Sequence, residues 1–219
     1  MTTPLTENTC LSELLIDEVA DALQQQGFIQ LTEFLPAWLA TDLQQEAKRL
    51  SSIAFKPAGI GRQKDLQLNS QIRTDMTLWL DGESLQQHTY LKCMEQLREG
   101  LNRRLFMGLF DFECHFSHYA KGDFYRRHLD AFKGRSNRIL STVFYLNDNW
   151  HKNEGGELVL YADEQQSPLL VVPPLFNNCI IFLSDVFPHE VLTSHSDRYS
   201  IAGWYRLNNN TTTHLDPSQ

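Results

Sequence analysis

The sequence predicts a mainly β protein, a jelly-roll core (a double-stranded β-helix) supported by N-terminal α-helices. Three observations carry that reading. Helical periodicity is confined to the chain before Asp111, short β-type runs separated by turn residues fill the chain after it, and 42% of the 219 residues are hydrophobic, ample for a real core.

Each element has its own signal. In LSELLIDEVADALQQQ, residues 11–26, Leu11, Leu14, Leu15, Val19 and Leu23 recur at helical spacing, and Gly27 supplies a C-terminal stop. FIQL follows as a short strand. Pro36 opens PAWLATDLQQEAKRL, a second amphipathic helix with proline in the first turn, where a missing N–H is tolerated. A third helix runs from Ser84 to about Leu105. Between the second and third helices, FKPAGIGRQKDLQLNSQIRTDMTLWLDG starts polar and Gly/Pro-bearing and becomes strand-like at MTLWL, so it reads as a long exposed loop feeding a strand. From Asp111 onward come FECHFSHY, FYRRHLD, ILSTVFYLN, GELVLYA, PLLVVP, NCIIFLS, HEVLTS and RYSIAGWYR, a spacing that suits an all-β sandwich or barrel. LNNNTTTHLDPSQ is a polar tail. With no repeat and no linker, the chain reads as one domain over 1–206, with helical support and loop in 1–105, the β core in 111–206 and a flexible tail in 207–219.

Nineteen Lys plus Arg against 27 Asp plus Glu argue against a nucleic-acid partner. Locally the balance reverses. Lys121, Arg126, Arg127, Lys133, Arg135 and Arg138 face only Asp123 and Asp130, which would draw an anionic small molecule or an acidic peptide, although a solvated basic face has the same charge. Cys10, Cys93, Cys114 and Cys179 show no close pairing and read as reduced intracellular thiols. The N-terminus lacks the basic start and apolar run of a signal peptide, and no stretch reaches membrane-spanning length. A cytoplasmic monomer with no membrane association is expected.

In YRRHLD, strand alternation puts His128 and Asp130 on one face, where they converge as metal ligands would; an isolated HxD also suits an exposed strand face. A jelly roll brings distant strands together, so a third ligand is sought downstream, and His189 in SDVFPHEV is the best placed. Histidine count alone leaves His195, His151, His115 and His118 as competitors. The first two lie in turn-like segments, and the last two lie on opposite faces of one strand. Two histidines and a carboxylate leave adjacent positions open in the manner of non-haem Fe(II) oxygenases, and zinc accepts the same ligands. In RYSIAGWYR, Arg198 shares a face with Ser200, Ala202 and Trp204. An arginine pointing into an apolar barrel needs an anion, and its planar fork suits a carboxylate, so a dicarboxylic co-substrate fits.

HLD (128–130), FYLNDNW (144–150), GGEL (155–158), FLSDVFPHEV (182–191) and RYSIAGWY (198–205), in this order, resemble the prolyl hydroxylase branch of the 2-oxoglutarate and Fe(II)-dependent dioxygenases. The likeness is closest to the bacterial counterparts of the hypoxia-inducible-factor prolyl hydroxylases. It runs from about Pro57 to Arg206 and takes in IRTDMTLWLDG. The resemblance implies that His128, Asp130 and His189 bind iron and that Arg198 holds the distal carboxylate of 2-oxoglutarate with help from the Tyr145 hydroxyl. It makes Tyr119 and Trp204 pocket-lining aromatics, and it places Arg62, Arg73, Asp75, Trp79, Tyr125 and Arg138 at the substrate. Arg62 to Asn69 would contact it, and Arg73 and Asp75 would anchor the loop's far end, with Asp75 paired to Arg138. The implied reaction is 4-hydroxylation of a prolyl residue on an exposed loop of a cytoplasmic protein. It uses Fe(II), 2-oxoglutarate and O2, with ascorbate supportive, and releases succinate and CO2; elongation factor Tu is the candidate substrate by resemblance. The alternatives are an oxygenase of another residue or a small molecule, and a non-catalytic jelly roll that senses 2-oxoglutarate.

Overall fold

Ser12 caps α1 (Glu13–Gln25) by accepting the Leu15 N–H at 3.1 Å, and Gly27, at φ +82°, turns the chain into β1 (Phe28–Leu31). The structure is a computed structural model that describes residues 10–59, 69–131, 137–162 and 167–208. Pro36 precedes α2 (Ala37–Ser51), and Ser84 caps α3 (Leu85–Leu105) through the Gln87 N–H. Two short strands lie between these helices, β2 (Lys56–Pro57) and β3 (Met76–Trp79). The eight expected β runs all form: β4 (Leu109–Tyr119), β5 (Tyr125–His128), β6 (Arg138–Tyr145), β7 (Leu158–Tyr161), β8 (Pro168–Val172), β9 (Cys179–Leu183), β10 (His189–Val191) and β11 (Arg198–Leu207).

The strands make two antiparallel sheets, one ordered β1-β9-β6-β11-β4-β3-β2 and a smaller one ordered β5-β10-β7-β8. Period-2 alternation gives the large sheet two buried faces. Leu140 and Phe144 of β6 and Ile181 of β9 pack with Ile16 and Val19 of α1, Leu39 and Leu43 of α2, and Leu97 of α3. Their neighbours Tyr145, Ile180 and Phe182 turn the other way, onto Leu158, Leu160 and Val172 of the small sheet. A central strand covered on both sides reads as a continuous apolar run, as NCIIFLS does. The helices therefore brace one face of the large sheet and leave the other to the space between the sheets.

Four expectations need correction. Lys56 and Pro57, read as part of a loop, pair with Thr77 and Met76 as a short edge strand. Asp130 does not share a strand with His128, because β5 ends at His128. Leu207, placed in the tail, is the last residue of β11. Cys10 and Cys93 are joined by a disulfide across 83 residues, with Cα atoms 5.2 Å apart, while Cys114 and Cys179 are free and buried. Their spacing hides the pairing, which arises because Gln96 of α3 grips the approach to α1. Its Oε1 accepts the Cys10 and Leu11 N–H groups, each at 3.1 Å, and its Nε2 donates to Leu11 O at 2.7 Å. Residues 60–68, with Arg62, and 209–219 lie outside the described residues. No described helix is long and apolar enough to cross a membrane.

Candidate active site

The antiparallel register of β5 and β10 sets His128 directly opposite His189, with ring centroids 4.3 Å apart. Each Nδ1 meets a main-chain carbonyl, His128 at Arg126 O (2.8 Å) and His189 at Phe187 O (3.1 Å). A carbonyl oxygen only accepts, so both Nδ1 atoms carry the proton and both Nε2 lone pairs remain for a metal. The two Nε2 atoms lie 3.5 and 3.6 Å from the two carboxylate oxygens of Asp130. One ligand atom from each of these residues lies within 4.8 Å of the others, and no other group of His, Cys, Asp or Glu among the described residues has this geometry. Tyr125 stacks on His128 at 3.6 Å, and Phe182 meets His189 edge-on at 4.8 Å.

Burial, helped by the neighbouring His128, lowers the His189 pKa to about 4, which keeps this imidazole neutral. Burial opposes the Asp130 carboxylate, and the nearby positive charge of Arg138 favours it. Asp130 Oδ2 also accepts a 2.6 Å hydrogen bond from Ser141 on β6.

On the large sheet, β11 places Arg198 opposite Tyr119 of β4, and Ser200 opposite both Ser117 of β4 and Tyr145 of β6. Arg198 is 1% exposed. Its Nε donates to Gly156 O at 2.8 Å, its Nη1 donates to Ser200 Oγ at 3.1 Å, and its guanidinium lies 4.8 and 5.2 Å from the Tyr119 and Tyr145 ring centroids. Nη2 of Arg198, the Tyr145 hydroxyl and Trp204 Nε1 are buried with no hydrogen-bond partner among the described residues. Burial raises the Tyr145 pKa against the opposing pull of Arg198, so its phenol stays a donor. A buried cation beside unpaired donors is costly unless an anion meets it. A carboxylate, with two oxygens and only acceptor sites, satisfies the Arg198 and Tyr145 donors together, so these residues fit 2-oxoglutarate as the triad fits iron.

At the half-exposed side, Trp79 of β3 lies opposite His115 of β4, their rings 5.1 Å apart, and Trp204 lies 6.4 Å from Trp79. Arg138 covers the Trp204 ring at 3.6 Å, and its Nε and Nη2 bind Glu113 Oε1 at 3.0 and 2.8 Å. The expected Asp75–Arg138 pair is therefore replaced. Asp75 accepts Nε and Nη2 of Arg73, two residues away, at 2.8 and 2.7 Å, and Arg73 packs on the Tyr125 ring at 4.3 Å. Arg127 stacks on Tyr161, and Arg126 lies over Phe124.

Of the competing histidines, His151 and His195 are exposed, His118 binds Asp197 at 2.8 Å, and His115 turns inward but stands apart from the triad. Ser184, Glu113 and Gly156 were not singled out by sequence. Ser141 shares a face with Tyr145 by strand alternation, yet its contact with Asp130 depends on a turn that periodicity does not describe.

Fold and site together define a non-haem Fe(II) oxygenase. Residues 114–206 match the family described as the 2OG-Fe(II) oxygenase superfamily. The structure resembles a prolyl-4-hydroxylase from Pseudomonas putida, with 37% identity and a TM-score of 0.80 over 88% of this chain and 99% of that one. It also resembles a Trichoplax adhaerens prolyl hydroxylase in complex with a peptide fragment of the hypoxia inducible factor oxygen degradation domain (28% identity, TM-score 0.78, 89% and 90% of the two chains). Human prolyl hydroxylase EGLN3 is 24% identical over 215 residues, 89% of this chain and 84% of the relative. The chain belongs to the prolyl hydroxylase branch of the 2-oxoglutarate and Fe(II)-dependent oxygenases, whose cofactor is Fe(II) and whose co-substrates are 2-oxoglutarate and O2.

Proposed function

We propose that the protein is a peptidyl-prolyl 4-hydroxylase that acts on a proline displayed on a loop of a cytoplasmic protein and releases succinate and CO2. The observation that carries this reading is the buried Arg198–Tyr145 pair, with unpaired donors on the inner face of the large sheet, together with an open His–Asp–His triad whose histidines lie on the small sheet. The Pseudomonas putida and Trichoplax adhaerens relatives support prolyl chemistry and a peptide substrate. Elongation factor Tu is the candidate offered by the resemblance.

Bound iron, with 2-oxoglutarate and O2, would supply the oxidising power. The chain supplies position. His128, Asp130 and His189 would hold the metal, with both imidazoles kept in the ligating tautomer by Arg126 O and Phe187 O. Arg198 and Tyr145 would bind the far carboxylate of the co-substrate, while Leu158, Leu160 and Phe182 wall the space against water. Tyr119 and Trp204 would line the pocket. Trp79, Tyr125, Arg73, Asp75 and Arg138 would form the side that receives the peptide, Asp75 by holding Arg73 against Tyr125. Arg62 belongs to the same proposal but lies outside the described residues.

The test is incubation of purified elongation factor Tu with the enzyme, Fe(II) and 2-oxoglutarate, followed by mass spectrometry. One oxygen on a proline, stoichiometric with succinate, is expected. Arg198→Ala should weaken 2-oxoglutarate binding by about 2–5 kcal/mol, seen as a steep rise in the concentration required, with metal binding largely retained. Unchanged co-substrate dependence in that variant would refute the role of Arg198. Succinate release with no oxidised proline in any trapped protein would refute the prolyl assignment.

A further inference from the structure

Asp130 stands beyond the last residue of β5, so no strand ladder orients its carboxylate. Two serines do. Ser141 Oγ lies 2.6 Å from Asp130 Oδ2 and 2.9 Å from Ser184 Oγ, and Ser141 and Ser184 are 1% and 0% exposed. The polarity of this chain follows from the chemistry. A carboxylate only accepts, so the single Ser141 proton goes to Asp130, and the Ser184 hydroxyl must donate to Ser141. The main chain of Ser184 braces the same corner, its N–H donating to Ile139 O at 3.0 Å and its carbonyl accepting the N–H of Ala131, the residue after Asp130, at 3.3 Å. On the ladder Ser141 stands between Trp204 of β11 and Phe182 of β9. Dry aromatic flanks exclude water from the relay and strengthen each of its hydrogen bonds.

Of the two Asp130 oxygens, Oδ1 lies 3.5 Å from His128 Nε2 and Oδ2 lies 3.6 Å from His189 Nε2, and Oδ2 also accepts the Ser141 hydroxyl, which takes up one of its lone pairs. We propose that the Ser184–Ser141 relay fixes the orientation of the Asp130 carboxylate and, by engaging Oδ2, biases it to meet the metal through Oδ1. Ser141 and Ser184 are then positioning residues, acting through Asp130 rather than on the substrate. This inference rests on reading the triad as the metal site.

The test uses the full-length protein stripped of metal and titrated with Co(II), whose visible absorption reports coordination number as well as affinity. Ser141→Ala should bind Co(II) about 10–100-fold more weakly, the range for loss of a partner that orients a metal ligand. Its spectrum should shift toward higher coordination as Oδ2 joins Oδ1. Ser141→Thr, which keeps the hydroxyl, should restore both readouts. Ser184→Ala removes the far end of the relay without touching Asp130, so a smaller change in the same direction is expected, and this variant keeps the test open if Ser141→Ala folds poorly. Wild-type affinity and spectrum in both alanine variants, with Co(II) binding lost in Asp130→Ala, would overturn the relay and leave the triad standing. Undiminished binding in Asp130→Ala would overturn the metal site and the relay with it.

Discussion

His115, 4% exposed between Trp79 and Trp204, is the buried histidine outside the metal cluster whose ionisation is most altered. Burial, with Arg73 and Arg138 nearby, lowers its pKa from the ordinary 6.5 to about 3. The unfolded chain therefore binds more protons than the folded one between these values. Stability from this group is complete above the unfolded pKa and is lost as the pH falls toward the folded one, at up to about 1.4 kcal/mol per pH unit. Replacing His115 with Met should flatten the unfolding free energy, measured in urea, between pH 6.5 and pH 4. An unchanged slope would place the acid sensitivity elsewhere.

At the scale of elements, the turn into β7 shows why GGEL accompanies the arginine. Gly155 and Gly156 have φ of +66° and +68°, and a Cβ on Gly155 would lie 2.2 Å from the backbone oxygen of Thr193, which has no room to move. A Cβ on Gly156 would lie 2.9 Å from Cδ of Arg198, whose Nε is bound to the carbonyl of the same glycine. Gly156→Ala should therefore displace the guanidinium and raise the 2-oxoglutarate requirement while sparing Co(II) affinity; loss of metal binding instead would point to general disruption. On the helical side, Glu46 of α2, 4% exposed, accepts Ser84 Oγ at 3.0 Å and Gln87 Nε2 at 3.1 Å and so ties α2 to the start of α3. Glu46→Ala leaves these two donors short of a partner and should cost about 1–3 kcal/mol in denaturant unfolding, with turnover per folded molecule preserved.

At the scale of the molecule, the large sheet separates two tasks. Its helical face holds most of the apolar core and the Cys10–Cys93 bridge, and its other face holds Arg198 and Tyr145 and looks onto the triad, whose two histidines belong to the small sheet. Denatured without reductant, the protein should show two titratable thiols, Cys114 and Cys179, and reductant should bring the total to the four in the sequence. Reduction should lower stability by about 2–4 kcal/mol, the usual range for a disulfide that closes a long loop, and leave metal affinity intact. A metal affinity that followed the redox state would show that the two faces are coupled.

The features legible along the chain are local and periodic. Alternation marked the β runs and put Arg198 on one face with Ser200 and Trp204, and helical spacing with a glycine stop placed α1 to within about two residues. These signals are legible because they arise from neighbours along the chain. The facing of His128 and His189, the choice of Arg73 over Arg138 as partner of Asp75, the Cys10–Cys93 bridge and the grip of Ser141 on Asp130 were decided only in three dimensions. All but the second depend on strand register or on packing that brings back a distant part of the chain; Arg73 is only two residues from Asp75, and Arg138 is engaged by Glu113. A two-residue period constrains which face a side chain takes, but not which distant residue it will meet there.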